Sequence, residues 1–393
     1  MTISDAMRAF VEEARAVSID TEVSRRGLKL MRHGSELVGP CPVCGGRDRF
    51  SVNLRKGVFM CRQGGVAGDV IALVEYLDAT DFLGACETLT GRPPPKGESR
   101  GPDPEELARR EALRLAAEAE RERGERDYRE EERARMWRLW TAAAAVTDGS
   151  PVDRYLERRR LPLMRGVALK VIDSQPYFEG GSEIWRGPAM IAAIVDGAGT
   201  FSGAHLTWID PVTFGKAEIV DPATGEVLPA KKVRGSMRGG HIPLSKPLAP
   251  CRLVIGEGIE TVLSVRHAMQ HVHGGGYDAA TLYWSAVSLG NLGGRASETI
   301  PHPTLATTDK LGRRRRVKVP GPIPAEDSDG RPGLMPPEAI DEVIILGDGD
   351  SDRFTTEQHL ARASARWKRA GRRIRIAFAP SGHDFNDVLR RTA

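Results

Sequence analysis

CRLVIGEGIETVL, residues 251–263, is the stretch whose reading decides the fold. Branched apolar residues run up to Gly256 and stop on an acid, Glu257; Gly258 follows, and a helical pattern opens behind it. A short, almost wholly apolar run is what a strand buried on both faces looks like. The same arrangement returns in EVIILGDGDSD (342–352), where Asp348 and Asp350 follow the apolar run. Around these stretches lie ATLYWSAV (280–287), a helical pattern over 354–370 and RIRIAFAP (373–380). Strands alternating with helices predict a parallel α/β sheet for residues 250–393. Residues 296–338, rich in proline, glycine and charge, interrupt the pattern and read as a surface insertion.

Ligands of open α/β sheets gather beyond the carboxyl ends of the strands. Glu257 stands at one such end, and Asp348 with Asp350 at another. An extended backbone points residues two apart the same way, so the two aspartates share a face. If the strands are neighbours, three carboxylates converge. Unpaired anions at one spot need a hard cation, and Mg²⁺ (or Mn²⁺) with carboxylate and phosphate oxygens fits best. Phosphoryl or nucleotidyl transfer is the chemistry such a site supports. Gly347 and Gly349 are read as allowing a tight turn and the approach of a ligand. Glu260, Asp352, Asp384 and Asp387 are additional acids; the last two sit in SGHDFNDVL (381–389), which also reads as a loop leading into an N-capped helix.

The rest of the chain divides by composition. Residues 1–95 are mixed and end at the breaker GRPPPKG (91–97). Residues 96–148 are a charged linker, with Glu four residues before Arg at Glu105/Arg109, Glu106/Arg110, Glu122/Arg126, Glu125/Arg129 and Glu131/Arg135. That order favours an exposed helix, weakened at Gly124. Residues 149–249 open on DGSPVDRYLERRRL (148–161), where Ser150 caps a helix and Pro151 suits its first turn. PAMIAAIVDGAGTFSGAHLTWIDP (188–211) then has a β-hairpin pattern, followed by the cationic PAKKVRGSMRGGHIPL (229–244). The fold class is therefore multidomain, α+β together with α/β.

At 393 residues with 40% hydrophobic content, the chain supports about two or three domains. No stretch reaches the roughly 20 apolar residues of a membrane span. MTISDAMRAFVEEARAVSID (1–20) lacks the apolar core of a signal peptide, so a cytoplasmic protein is expected. The net charge of +4 says little by itself, but its distribution is uneven. KLGRRRRVK (310–318) packs six cations into nine residues. A second set comprises Arg362, Arg366, Lys368, Arg369, Arg372, Arg373 and Arg375. Either set neutralises phosphates or forms a solvated face.

Three of the five cysteines lie close together, in GPCPVCGGRDRFSVNLRKGVFMCRQGGVAGDVIALV (39–74). Cys41-Pro-Val-Cys44, a hairpin and a second knuckle at Cys61 have the layout of a zinc ribbon. The second knuckle reads Cys61-Arg-Gln-Gly64, so the fourth thiolate is missing. His33, a water or a nearby acid completes the shell, or the ribbon has kept its fold and lost its Zn²⁺. Cys86 and Cys251, in apolar contexts, are expected to be core residues.

VIGEGIET (254–261) followed by ILGDGDSD (345–352) inside an α/β segment resembles the Toprim domain of bacterial-type primases, topoisomerases, some nucleases and a recombination mediator. The resemblance implies Glu257 as general acid/base and Asp348 and Asp350 as Mg²⁺ ligands. Many members carry Asp four residues after the Glu; here the residue is Thr261, with Glu260 adjacent. DRFSVN (48–53) and AGDVIALVEYL (67–77) resemble the zinc-binding domain of DnaG-type replicative primases and their phage and plasmid relatives. In that family the domain helps engage single-stranded template, a role for Arg47, Arg49, Arg55, Lys56 and Arg62, with Phe50 and Phe59 as stacking faces or as core.

The order of these parts resembles that of a DnaG-type DNA primase from a phage, plasmid or other mobile element. The activity implied is Mg²⁺-dependent synthesis of short RNA primers on single-stranded DNA from nucleoside triphosphates. Lys231, Lys232 and Arg234 are the candidates for contacting template and nucleotide, with Lys216, Arg238 and His241 as further ones. A helicase partner is expected to be separate, to be reached through another surface, or to be absent, because no helicase-binding domain is visible after the Toprim-like segment. A Toprim nuclease using the same acids, and a non-catalytic single-stranded DNA-binding protein, are the alternatives.

Overall fold

The computed structural model describes residues 5–33, 36–62, 66–95, 104–162, 167–273, 278–308, 314–326 and 333–392. It divides into two compact units, Met1–Arg126 with Thr308–Arg314, and Asp127–Thr307 with Arg315–Ala393. No described helix is long and apolar enough to cross a membrane.

The first unit opens with helices α1 (Asp5–Ala16) and α2 (Ile19–Arg25). An antiparallel meander follows, β1 (Met31–His33), β2 (Glu36–Cys41), β3 (Gly45–Asn53), β4 (Val58–Cys61) and β5 (Val66–Gly68), paired in that order. Helices α3 (Val70–Asp78) and α4 (Phe82–Thr90) close the unit. Asp69 starts α3 by accepting hydrogen bonds from the backbone N–H groups of Ile71 and Ala72, both at 3.1 Å. Phe50 and Phe59, 0% and 1% exposed, pack together with Cys86 in the core. The two phenylalanines are therefore structural, because the alternation that turns their neighbours outward turns them in.

Helix α5 (Pro104–Ala142) runs through Gly124 without a break. One glycine costs about 1 kcal/mol in a helix interior, too little to end so long a run. Arg133 and Arg135 pair with Glu130 and Glu132, three residues back, so the expected Glu131/Arg135 pair does not form. Each other expected pair has a side chain outside the described residues.

The second unit continues with β6 (Ala144–Ala145), α6 (Pro151–Arg158), β7 (Leu169–Glu179), β8 (Ser182–Val195) and β9 (Phe201–Trp208). Next come β10 (Ile219–Val220), β11 (Val227–Leu228), β12 (Lys231–Gly235) and β13 (Ile242–Pro243). Ser150 caps α6 by accepting from the Asp153 N–H. An antiparallel sheet forms in the order β12-β9-β8-β7-β6.

The remainder is β14 (Arg252–Gly256), α7 (Ile259–His273), β15 (Thr281–Ser285), α8 (Leu289–Gly293), β16 (Thr299–Thr308), β17 (Arg314–Pro320), β18 (Glu342–Gly347), α9 (Arg353–Trp367), β19 (Arg373–Phe378) and α10 (Phe385–Thr392). The second sheet has the order β13-β15-β14-β18-β19, parallel except for β13 at its edge. One core joins the two sheets: Tyr155 and Leu156 of α6 with Val171, Met190, Val254, Val262 and Leu346. The far face of the parallel sheet packs on Leu360 and Trp367 of α9.

Two expectations change here. Cys251 is exposed, because it precedes β14 at the amino edge of the sheet instead of lying within the strand. The 296–338 segment is only partly a surface insertion. β16 and β17 pair with each other, yet His302 is buried against Asp352 and Leu334 belongs to the core around Trp367.

Candidate active site and cysteine centre

Strands β14 and β18 are parallel neighbours, with Ile255 opposite Ile345. Glu257 and Asp348 therefore leave the same carboxyl edge of the sheet, and Asp350 follows on the exposed turn. Burial raises the Asp348 carboxyl to about 6, and the charges of Asp384, Asp350 and Glu257 push in the same direction. The Thr261 hydroxyl opposes them by donating to both Asp348 oxygens at 3.0 Å. Glu257 is also raised, first by burial and then by Asp350, against a hydrogen bond from the Leu289 N–H and the charge of Lys231. The charge of Asp350 thus bears on both Glu257 and Asp348, and those of Glu257 and Asp384 on Asp348. Such a donor set fits a hard divalent cation.

The two glycines beside Asp348 have a different task from the one expected. A Cβ on Gly347 would meet the Phe378 ring at 2.5 Å, and one on Gly349 would lie 2.7 Å from the Ala379 carbonyl and against that of Pro380. They let the chain after β19 close onto the acidic turn, where Gly349 N–H donates to the His383 carbonyl at 2.9 Å. Neither has a positive φ.

The cations separate by strand alternation. Lys231, on β12, donates to Glu260 at 3.0 Å and acts on Glu257. Lys232, one residue on, faces the other way, binding Glu179 and the Phe178 carbonyl and lying over the Tyr177 ring. Arg234 shares that second face and is exposed. Lys231 is therefore brought to the acidic edge, and Lys232 and Arg234 are not.

Glu260 does not join the acids of the edge. It is buried, and although burial favours its neutral form, Lys231, Lys216, the Tyr155 hydroxyl and Arg159 hold it ionised well below the usual range. Tyr155 and Arg159 escaped the sequence reading. The amphipathic pattern of DRYLERRRL signals only a packed helix, not what its tyrosine meets. His241 is buried and stacked on Trp284, and burial lowers it to about 3, so it is neutral and no phosphate ligand. Arg238 is half-buried. Asp352 caps α9 and Asp384 caps α10.

The C-terminal basic set is largely turned inward. Arg362 reaches the carbonyls of Gly293, Gly294, Pro320 and Gly321, and Arg366 those of Leu292, Gly293 and Leu334. Arg369 and Arg372 both bind the Ile340 carbonyl. These guanidinium groups donate to backbone carbonyls at the end of α8, at the end of β17 and in the segments around them. In the 310–318 run, residues 310–313 and the Arg315 side chain lie outside the described residues; Arg314, Arg316 and Lys318 are exposed at alternate positions of β17.

In the first unit, Cys41, Cys44 and Cys61 bring their sulfurs within 4.8 Å of one another. They are the one such close set of three or more metal-ligating side chains among the described residues. Cys44 and Cys61 are 3.4 Å apart, and burial together with the two neighbouring sulfurs raises Cys44 to about 11. Cys41, by contrast, is lowered to about 7, where hydrogen bonds from the Tyr76 hydroxyl and the Cys44 and Val43 N–H groups outweigh burial. Three sulfurs gathered this closely fit a soft divalent metal, which stabilises thiolates. Gly64 and the side chains of His33 and Arg47 lie outside the described residues. Arg49, Lys56 and Arg62 are exposed and Arg55 is half-buried.

Residues 7–94 match the family model described as the CHC2 zinc finger. This part of the chain resembles a DnaG-type zinc ribbon. Residues 130–244 match a domain of unknown function, DUF7146. Among solved structures, the Aquifex aeolicus primase (zinc-binding and RNA polymerase domains) is similar at 14% identity and a TM-score of 0.33, over 99% of this chain and 83% of that one. A DnaG primase catalytic domain bound to single-stranded DNA is similar at 14% identity and 0.36, over 67% and 76%. The primase fragment of the bacteriophage T7 primase-helicase follows at 10% and 0.29, over 91% and 96%. All three likenesses are distant; residues 7–94 and 130–244 are the parts that family models match.

Proposed function

We propose that this protein is a primase-type nucleotidyltransferase that joins nucleotides into short primers on single-stranded DNA. One observation carries the reading: neighbouring parallel strands β14 and β18 end beside Glu257, Asp348 and Asp350 at one edge, where burial and the charge of Asp350 raise the proton affinity of Glu257 and Asp348. The zinc finger at residues 7–94 supports it.

Glu257, Asp348 and Asp350 would hold Mg²⁺, which when bound supplies charge neutralisation at the reacting phosphate. Glu257, whose raised proton affinity suits a general base, would take the proton of the primer's 3′-hydroxyl. The 3′-oxygen then bonds to the α-phosphorus of the incoming triphosphate, the bond to the bridging oxygen breaks, and pyrophosphate leaves. Lys231, set between Glu257 and Glu260, would face the triphosphate charge, and Thr261 would keep Asp348 ionised. Base pairing with the template, rather than side chains, would select the nucleotide.

The test is incubation with single-stranded DNA, ribonucleoside triphosphates and Mg²⁺. New labelled oligoribonucleotides that vanish in Asp348→Ala support the reading. Shortened DNA without synthesis would instead make the protein a nuclease, and activity-free DNA binding unaltered by Asp348→Ala would make it a binding protein.

A further inference from the structure

We propose that the hydroxyl oxygen of Tyr76 is the fourth ligand of the metal held by Cys41, Cys44 and Cys61. The inference rests on reading this domain as zinc-loaded. In place of a fourth cysteine the second knuckle carries Gly64, which has no side-chain donor. A closed structural zinc site needs four.

The Tyr76 hydroxyl lies 3.1 Å from Cys41 Sγ and also hydrogen-bonds Cys61. Zinc bonds of about 2.3 Å to sulfur and 2.0 Å to oxygen set the oxygen and sulfur corners of a tetrahedron roughly 3.5 Å apart. Sulfur corners stand slightly farther apart on the same geometry. The observed 3.1 Å and the 3.4 Å between Cys44 and Cys61 are close to those edges, drawn in by hydrogen bonding. The Tyr76 oxygen thus lies at the spacing of an oxygen corner from Cys41 and beside Cys61, two of the three sulfurs.

The oxygen is also held in place. Tyr76 lies on α3, which is capped by Asp69 and anchored by the buried Ile71, Leu73 and Val74. Its ring packs on Phe59 of β4 at 5.6 Å, and β4 ends on Cys61. The helix behind the second knuckle therefore supplies what the knuckle lacks. On coordination the phenolic proton leaves to solvent, as the thiol protons do, and the oxygen bonds the metal in its place.

The experiment compares the full-length protein with Tyr76→Phe, which keeps the ring on Phe59. Elemental analysis and chelator competition measure zinc, and X-ray absorption at the zinc edge identifies the ligands. The expected result is one zinc per wild-type chain in a shell of three sulfurs and one oxygen. Affinity should fall by at least about 10²-fold in Tyr76→Phe, the upper range for losing an outer-shell partner. The cobalt-substituted visible spectrum should change with it. Equal affinity and superimposable cobalt spectra overturn the proposal, as does a wild-type shell of four sulfurs or of three sulfurs and a nitrogen. Wild-type protein that binds no zinc overturns the zinc reading itself along with it.

Discussion

The Thr261 hydroxyl lies 3.0 Å from both carboxylate oxygens of Asp348, linking the first turn of α7 to the end of β18. The threonine thereby serves Asp348 as a donor. A hydrogen bond to a charged group is worth about 1.5–3 kcal/mol, and one pKa unit is about 1.4 kcal/mol. Thr261→Val should therefore move the acidic limb of the pH–rate profile upward by about one unit. Activity is lost mainly below neutrality and recovered above it. A uniform loss at every pH would contradict this role.

Metal and pH should act on stability through the same acids. Asp348 binds its proton more tightly folded, about 6 against an ordinary 3.8. Its contribution to stability is full below the unfolded value and is lost as pH rises through the folded one. The metal-free protein should therefore weaken between about pH 4 and pH 7, and Mg²⁺ should restore most where the acids are ionised. Thermal melts should show a larger Mg²⁺-induced rise in Tm at about pH 7.5 than at pH 5. Asp348→Asn should raise the metal-free Tm at the higher pH and abolish most of the Mg²⁺ response.

Lys231 has a structural partner as well as a proposed substrate. Removing it leaves the Glu260 carboxylate buried beside Tyr155, which costs about 2 kcal/mol after allowing for the partial exposure of the lysine. Lys231→Ala with Glu260→Gln should regain most of that stability, a coupling of at least about 1 kcal/mol in a double-mutant cycle. Nucleotide turnover should not return with it. Recovery of both would reduce Lys231 to a structural cation.

The parallel sheet was legible because buried strands carry their own signature: RLVIG and EVIILG form β14 and β18 much as read. That the two strands are adjacent was not legible, since strand order depends on where α7 and the 296–338 segment send the chain. β13 was missed for a related reason. Two residues, Ile242 and Pro243, bear no periodicity, yet they add the antiparallel edge. Direction was hardest for the arginines. Composition shows how many charges a helix carries, but not that α9 aims Arg362 and Arg366 at the carbonyls ending α8. Tyr76 and Tyr155 likewise look like core aromatics until the polar tip finds its partner.

The two basic sets should accordingly fail in different ways. Arg362 is fully buried and gives its donors to backbone carbonyls, so Arg362→Ala leaves several acceptors without partners. The loss should be about 3 kcal/mol of stability, read as a lower denaturation midpoint, with the salt dependence of DNA binding unchanged in the protein that still folds. Arg314, Arg316 and Lys318 are exposed and alternate along β17, so their side chains share a face. Replacing all three by glutamine should leave the melting curve nearly in place. It should reduce the slope of log affinity for single-stranded DNA against log salt by up to about 2, at roughly 0.7 for each phosphate no longer neutralised. An unchanged slope would assign β17 to a solvated surface and leave template binding to the cations around Lys231.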